Sequence, residues 1–240
     1  MQPWFLKYPI CHRGAHWFEG IDENSLESFD KAIALGLPFE IDVHLSLDGE
    51  VFIHHDVSFK RLGGQNLDLT KRTALELDCL RTFNSRYGIV LLKDLLIRLK
   101  GQVPLVIEIK HTRKDYLLEE RLIELLRDYK GEYSLQAFYP FSLKFLKAKK
   151  VSCPVGLLAG PLKDDKIAYP LKIFIKSLCM APQLKPDYIG YQWDFLAQRA
   201  PQRMREKFDI PLIGWTVKDE ASRDFTKRFG DNYIFENLDG

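Results

Sequence analysis

The sequence predicts an α/β protein built as a (β/α)8 TIM barrel, and two observations carry this prediction. Short apolar runs with strand character alternate with longer runs of helical periodicity almost throughout the chain, which is typical of a parallel sheet with helices outside it. Eight such repeats in 240 residues suit a barrel, which takes about 250 residues. A doubly wound open sheet is the alternative, but the stretch HRGAHW is not the glycine-rich phosphate loop that such a sheet usually carries after its first strand.

The predicted strands are short and rich in apolar and β-branched residues. The second of them is the first half of a hairpin within residues 39–56. The others cover residues 8–12, 104–110, 133–138, 154–159, 188–192, 211–217 and 232–236.

Helices are predicted between these strands. The first begins with Asn24 as its N-cap, because Glu27 completes a capping-box pattern, and it ends at Gly36. The later ones cover residues 91–100, 115–130, 142–149, 168–180, 195–208 and 219–228. The polar stretch 57–88 contains only one short helical piece, so we interpret it as a small insertion after the second strand of a single domain spanning residues 1–240.

The hairpin within residues 39–56 predicts where the first polar side chains meet. Asp48-Gly49 separates two alternating runs, which is a strong signal for a two-residue turn. Counting from that turn places His55 opposite Asp42, with Glu40 on the same face. A three-residue turn would instead place His54 opposite Asp42.

Composition and charge limit the function classes. The chain is 46% hydrophobic and 28% charged, its formal net charge is +2, and no block of basic residues favours a nucleic-acid partner. The start has neither a basic leader nor the apolar run of a signal peptide, and the four cysteines are widely spaced. We therefore expect a cytoplasmic protein with free thiols. The most apolar helix candidate is interrupted by charges, so no transmembrane segment is expected.

Carboxylates gather where a barrel carries its function, at the C-terminal ends of the strands. Glu40 and Asp42 lie on the second strand, and Glu108 lies near the end of the third. These three residues, hereafter the carboxylate cluster, offer hard oxygen ligands that suit Mg²⁺ or Ca²⁺ better than zinc. Without a cation they would repel one another and raise their own pKa values.

Basic and aromatic side chains flank the carboxylate cluster. His12 and Arg13 end the first strand, His55 returns along the hairpin, and Lys110 follows Glu108 on the same face. Each of these alone is more often a structural ion pair or a strand-end residue. Together they describe a site for a phosphate ester, in which a cation polarises a phosphoryl oxygen and Arg13 and Lys110 take the remaining negative charge.

The ordered motifs resemble those of the glycerophosphodiester phosphodiesterase family nearly from end to end. The family's His-Arg, Glu-x-Asp, His-Asp, Glu-x-Lys and Trp-Thr-Val motifs correspond here to His12-Arg13, Glu40-Ile41-Asp42, His55-Asp56, Glu108-Ile109-Lys110 and Trp215-Thr216-Val217. The chain departs from the family pattern in three places: Ala137 replaces a common serine, Lys218 replaces an asparagine, and Phe235-Glu236-Asn237-Leu238 replaces the closing Thr-Asp-x-Pro.

The resemblance implies hydrolysis of a small-molecule glycerophosphodiester to glycerol 3-phosphate and an alcohol. One divalent cation, Mg²⁺ or Ca²⁺, would be bound by the carboxylate cluster, and His12 and His55 would act as acid and base. Arg13, Lys110 and Trp215 would bind the substrate. Two alternatives stay open: a phosphodiesterase for lysophospholipid or sphingolipid head groups, and a barrel that binds glycerophosphate without turnover.

Overall fold

The computed structural model describes residues 2–111, 115–161 and 177–237. The chain divides into two compact units. The N-terminal unit is Cys11–Tyr133, and the C-terminal unit combines Met1–Ile10 with Ser134–Gly240. Most of the predicted helix at 168–180 lies outside the described residues.

Parallel strands and intervening helices build the N-terminal unit. Its strands are β1 (Ile10–Cys11, which begins at the unit boundary), β2 (Phe39–Leu45), β3 (Val51–Ile53) and β4 (Leu105–Ile109). Its helices are α1 (Leu26–Ala34), α2 (Lys60–Gly63), α3 (Ala74–Asp78), α4 (Leu92–Leu99) and α5 (Leu117–Leu126). β2 is parallel to both β1 and β4, and β3 is antiparallel to β2.

The C-terminal unit repeats the same alternation. Its strands β5 (Tyr133–Ala137), β6 (Val155–Ala159), β7 (Tyr188–Gln192), β8 (Leu212–Val217) and β9 (Asn232–Phe235) pair in chain order, all parallel. Its helices are α6 (Pro140–Ala148), α7 (Ala181–Leu184), α8 (Arg199–Phe208) and α9 (Glu220–Phe229). The eight predicted parallel strands are present, and the prediction of the (β/α)8 class is confirmed.

The hairpin has a different register from the predicted one. Val43 pairs with Ile53, and the loop that joins the two strands is the three residues 47–49. A two-residue type I′ turn needs positive φ at both central residues, but only Gly49 has one, at 83°. The Asp48 carboxylate instead accepts hydrogen bonds from Ser46 Oγ (2.6 Å) and from the Ala74 amide (3.0 Å). The prediction of a two-residue turn is wrong. In the observed register, the backbone amide of His54 donates to the backbone carbonyl oxygen of Asp42.

Helix α1 starts one residue later than predicted. Its N-cap is Ser25, which forms a reciprocal capping box with Ser28. Asn24 does not cap the helix, because its amide donates to the Asp42 carboxylate at 2.9 Å. Glu27 does not complete the box either, because its carboxylate accepts from Ser85 and from the Arg86 amide. The side chains of Asn24 and Glu27, which were predicted to form the cap, therefore make tertiary contacts instead.

The stretch 57–88 has a small core of its own. Side chains from this stretch and its neighbours are buried together: Phe52, Phe59, Leu69, Leu77 and Ile89. Since fully burying one such side chain contributes about 1.5–3 kcal/mol, this cluster holds α3 and Phe59, the residue before α2, against β3.

Candidate active site

Strands β2 and β4 bring the carboxylate cluster together. Alternation along β2 places Glu40 and Asp42 on one face, and the parallel ladder pairs Asp42 directly with Glu108. One carboxylate oxygen from each of the three residues lies within 4.8 Å of the other two. All three side chains are buried, with Glu40 only 1% exposed. Their ionisation therefore depends on neighbouring charges.

Two cationic side chains contact the carboxylate cluster. Lys110 Nζ lies 2.8 Å from Asp42 Oδ1 and also pairs with Glu108. Arg13 Nε lies 3.2 Å from Asp42 Oδ2, and the Arg13 amide donates to Glu40 Oε2 at 3.1 Å. Three carboxylates thus face two cations, and Arg13 also pairs with Glu23 at 2.7 Å. The cluster has more negative charge than its protein partners neutralise.

The pKa values of the carboxylate cluster follow from this imbalance. Burial would raise the pKa of Asp42, but Lys110 and Arg13 hold it well below its usual range. Burial raises the pKa of Glu40, and the neighbouring charges of Asp42 and Glu108 raise it further. Burial also raises the pKa of Glu108. Glu40 is therefore the member that most needs a further positive charge nearby.

The carboxylate cluster fits a divalent cation. Glu40 Oε1 is buried and accepts no hydrogen bond from the residues that the structure describes. An ionised oxygen in that position is costly unless a charge compensates it. Three carboxylate oxygens around one point are the hard donor set that Mg²⁺ and Ca²⁺ prefer, so these residues could hold such an ion.

Both predicted histidines lie beside the carboxylate cluster. His12 follows the end of β1, and its Nε2 is 4.0 Å from Glu40 Oε2. His55 lies two residues beyond the end of β3, and its Nδ1 is 2.8 Å from Asp56 Oδ1. His12 and His55 both lie close enough to Asp42 to lower the pKa of its carboxyl group.

His54 does not take the place of His55, despite the corrected register. Its ring packs towards Phe59 with centroids 6.1 Å apart, and its side chain is buried. His55 is beyond the ladder, so the strand register does not determine its orientation. The hairpin count therefore gave a wrong reason for preferring His55.

His44 is a neighbour of the site that the sequence reasoning missed. It lies on the same face of β2 as Asp42, two residues further on, and its ring stacks on Phe52. Burial lowers the pKa of His44 to about 4, so the imidazole is neutral, and its Nε2 is 3.1 Å from the His55 carbonyl oxygen. Two-residue periodicity from Asp42 was the signal that could have found it.

Trp215 lies on β8 in the C-terminal unit. Its ring stands edge-on to Phe138 at 5.6 Å, and its buried indole Nε1 has no hydrogen-bond partner among the described residues. Gly160 and Gly190 flank the ring; a Cβ at either position would lie 3.4–3.5 Å from it. Contacts at this distance are ordinary van der Waals packing, so the Trp215 ring does not itself require glycine at either position.

Two departures from the expected motifs pair with each other. Lys218 Nζ lies 2.7 Å from Glu236 Oε2, and Glu236 is largely buried. A lysine in place of the family's asparagine thus accompanies an acidic residue in the altered closing segment. Leu238, the last residue of that segment, lies outside the described residues.

The fold and the ordered motifs together define a class, that of (β/α)8 hydrolases acting on phosphate esters. Residues 12–236 match the model of the glycerophosphoryl diester phosphodiesterase family. The chain therefore belongs to that family, and the prediction that it is a phosphodiesterase is confirmed.

Similar proteins cover almost the whole chain. An uncharacterized protein of Mycoplasma genitalium is 26% identical over 238 residues, which are 95% of this chain and 93% of that protein. A glycerophosphodiester phosphodiesterase from Thermotoga maritima has a similar structure, with a TM-score of 0.72, 23% identity and coverage of 95% and 93% of the two chains. An Oleispira antarctica phosphodiesterase, solved with the product sn-glycerol-3-phosphate, has a TM-score of 0.77, 20% identity and coverage of 95% and 92%. Within the described ranges, no helix has the length and apolar character needed to cross a membrane.

Proposed function

We propose that the protein hydrolyses glycerophosphodiesters to glycerol 3-phosphate and an alcohol, with one Mg²⁺ or Ca²⁺ ion bound by Glu40, Asp42 and Glu108. The observation that carries the proposal is the buried, incompletely neutralised carboxylate cluster with His12 and His55 beside it. Family membership supports the substrate class. The glycerol 3-phosphate product bound to the similar Oleispira phosphodiesterase supports it further.

His12 and His55 would perform the proton transfers. One takes the proton of the substrate's glycerol 2-hydroxyl, whose oxygen attacks phosphorus, while the other protonates the departing alcohol oxygen. Water then opens the cyclic phosphate with the two roles reversed. Histidine suits both steps because its ordinary pKa lies near neutrality. Since Nδ1 of His55 is held by Asp56, its Nε2 is the atom that would exchange the proton.

Charge stabilisation would be shared between the protein and the ion. The bound ion would act as a Lewis acid on a phosphoryl oxygen. Arg13 and Lys110 would place their positive charges near the remaining oxygens, and Trp215 would take part in binding the substrate. Arg13 and Lys110 are already held against Asp42, so they are positioned before the substrate arrives.

Release of glycerol 3-phosphate from a panel of glycerophosphodiesters tests the proposal. We expect turnover with Mg²⁺ or Ca²⁺, loss of turnover in EDTA, and losses of at least about 100-fold in H12A and H55A, because one acid–base group contributes about 10²–10⁴-fold. E124Q, at an exposed glutamate of α5, should match the wild type. Wild-type rates in both histidine variants would refute the catalytic roles. Binding of glycerol 3-phosphate without any turnover would favour the non-catalytic alternative.

We further propose that residues 57–88 are a reduced insertion within a single domain, and that the protein is cytoplasmic. The small core around Phe59 and Leu77 supports the first proposal, because it ties the stretch to β3. A single cooperative unfolding transition, seen by both far-ultraviolet circular dichroism and tryptophan fluorescence, is the expected result. Cell fractionation tests the location.

A further inference from the structure

Arg61 links two acidic residues of the N-terminal unit that lie 33 positions apart. It belongs to α2, in the stretch 57–88. Its Nη1 and Nη2 donate to the two carboxylate oxygens of Glu23 at 2.8 and 2.7 Å, and its Nε donates to Asp56 Oδ2 at 2.6 Å. The fork-shaped contact with Glu23 is one that a guanidinium makes and an ammonium does not.

The Asp56 carboxylate links Arg61 to His55. Its second oxygen, Oδ1, lies 2.8 Å from Nδ1 of His55. Hydrogen bonds from His55 and from Arg61 lower the pKa of Asp56, so the carboxylate is ionised and only accepts. The proton of a neutral His55 ring therefore lies on Nδ1, which leaves Nε2 as the basic nitrogen.

The His55 ring needs the contact with Asp56 because the residue lies beyond the end of strand β3. The ladder of β3 ends at Ile53, and the His55 side chain is about one third exposed, at 32%. His44 holds the carbonyl of His55, but this contact leaves the ring free to rotate. The orientation of the ring then depends on the Asp56 carboxylate. His54 Nδ1 holds the backbone amide of Asp56 at 3.1 Å, and Arg61 holds the carboxylate.

The same network reaches the carboxylate cluster. Glu23, which accepts hydrogen bonds from Arg61, also accepts one from Arg13 Nη1 at 2.7 Å. Arg13 Nε in turn lies 3.2 Å from Asp42 Oδ2. A continuous set of ion pairs thus runs from Asp42 through Arg13, Glu23 and Arg61 to Asp56, and a hydrogen bond links Asp56 to His55.

We infer that Arg61 is a positioning residue: it fixes Asp56, and through Asp56 the orientation and Nδ1–H tautomer of His55. The inference rests on the proposed acid–base role of His55. The inference also gives the stretch 57–88 a functional role, because this stretch contributes Arg61 to the site.

Steady-state kinetics and ¹⁵N NMR of the histidines test the inference in R61A, R61Q and R61K. R61A and R61Q should lower kcat by about 10–100-fold, the usual cost of losing such a supporting contact, with little change in KM. R61K should recover part of the loss, because an ammonium can still contact one carboxylate. The matched control is R72A, since Arg72 lies in the same stretch and its side chain, among the described residues, pairs only with Glu76.

The ¹⁵N shifts separate positioning from a structural role. The wild type should show His55, assigned by comparison with H55A, as the Nδ1–H tautomer, and R61A or R61Q should show a mixture with the Nε2–H form. Wild-type kcat in R61Q, or a lowered kcat with unchanged His55 shifts, would overturn the inference. If the wild type hydrolyses no glycerophosphodiester, the proposed function fails, while the tautomer measurement still decides whether Arg61 positions His55. Should R61A not fold, R61Q and R61K give the same readouts.

Discussion

Replacing Glu40 with glutamine should have opposite effects on stability with and without a divalent cation. The carboxylate cluster places three acids against Lys110 and Arg13. Burial and the charges of Asp42 and Glu108 raise the pKa of Glu40 well above its usual range. E40Q keeps the size of the side chain and removes one negative charge, which leaves two acids facing two cations.

Without a cation, E40Q should be more stable than the wild type at neutral pH. A raised pKa in the folded state means that the unfolded chain releases the Glu40 proton at lower pH than the folded protein does. Wild-type stability therefore falls as pH rises from the ordinary glutamate pKa through the raised one. Glutamine has no proton to release, so E40Q should lack that fall.

With a cation, the order should reverse. An ion at 100 times its dissociation constant stabilises the folded state by about 2.7 kcal/mol. For a protein of this size, 1 kcal/mol shifts Tm by about 2–4 °C, so the wild type should gain about 5–11 °C. E40Q should gain far less, because it has lost one ligand and the excess negative charge.

Thermal unfolding followed by circular dichroism, in EDTA and in a titration with Mg²⁺ or Ca²⁺, measures both effects. E124Q is the matched control, and it should show the full wild-type shift. A full shift in E40Q would contradict the assignment of Glu40 as a ligand. Lower stability of metal-free E40Q at neutral pH would contradict the argument from charge balance.

Three further predictions concern packing and ion pairs. G156A should destabilise the protein by about 1–3 kcal/mol in urea unfolding, because the new Cβ would lie 2.3 Å from the Tyr188 ring; an unchanged midpoint would refute this. Hydrogen bonds and charges from Arg61 and Arg13 outweigh burial and lower the pKa of Glu23 from 4.5 to about 2. Wild-type stability should therefore drop by up to about 3 kcal/mol as pH falls from 4.5 to 2, and E23Q should lack this drop in acid titrations followed by circular dichroism. A double-mutant cycle on Lys218 and Glu236 should give a coupling energy below about 1 kcal/mol, because Lys218 is 60% exposed; a larger coupling would mean that the pair is not screened by water.

Much of the candidate site could be predicted from local pattern. Glu40 and Asp42 share a face because strand side chains alternate, and Glu108 joins them because parallel strands end at the same edge. Arg61 and His44 were not found in this way. An arginine in a polar stretch has no local signal for its partners, and Arg61 meets Glu23 across 38 positions of the chain.

Periodicities of two and 3.6 residues within short segments were enough to predict the alternation of strands and helices, and the order of those segments predicted the (β/α)8 class and the placing of the carboxylate cluster. The hairpin register and the cap of α1 could not be predicted in this way, because distant groups compete for the same side chains. The Ala74 amide helps to hold Asp48 in a three-residue turn, and Asp42 takes the amide of Asn24, so that Ser25 caps the helix. The ring of His55 likewise depends on Asp56 and Arg61 rather than on the strand before it.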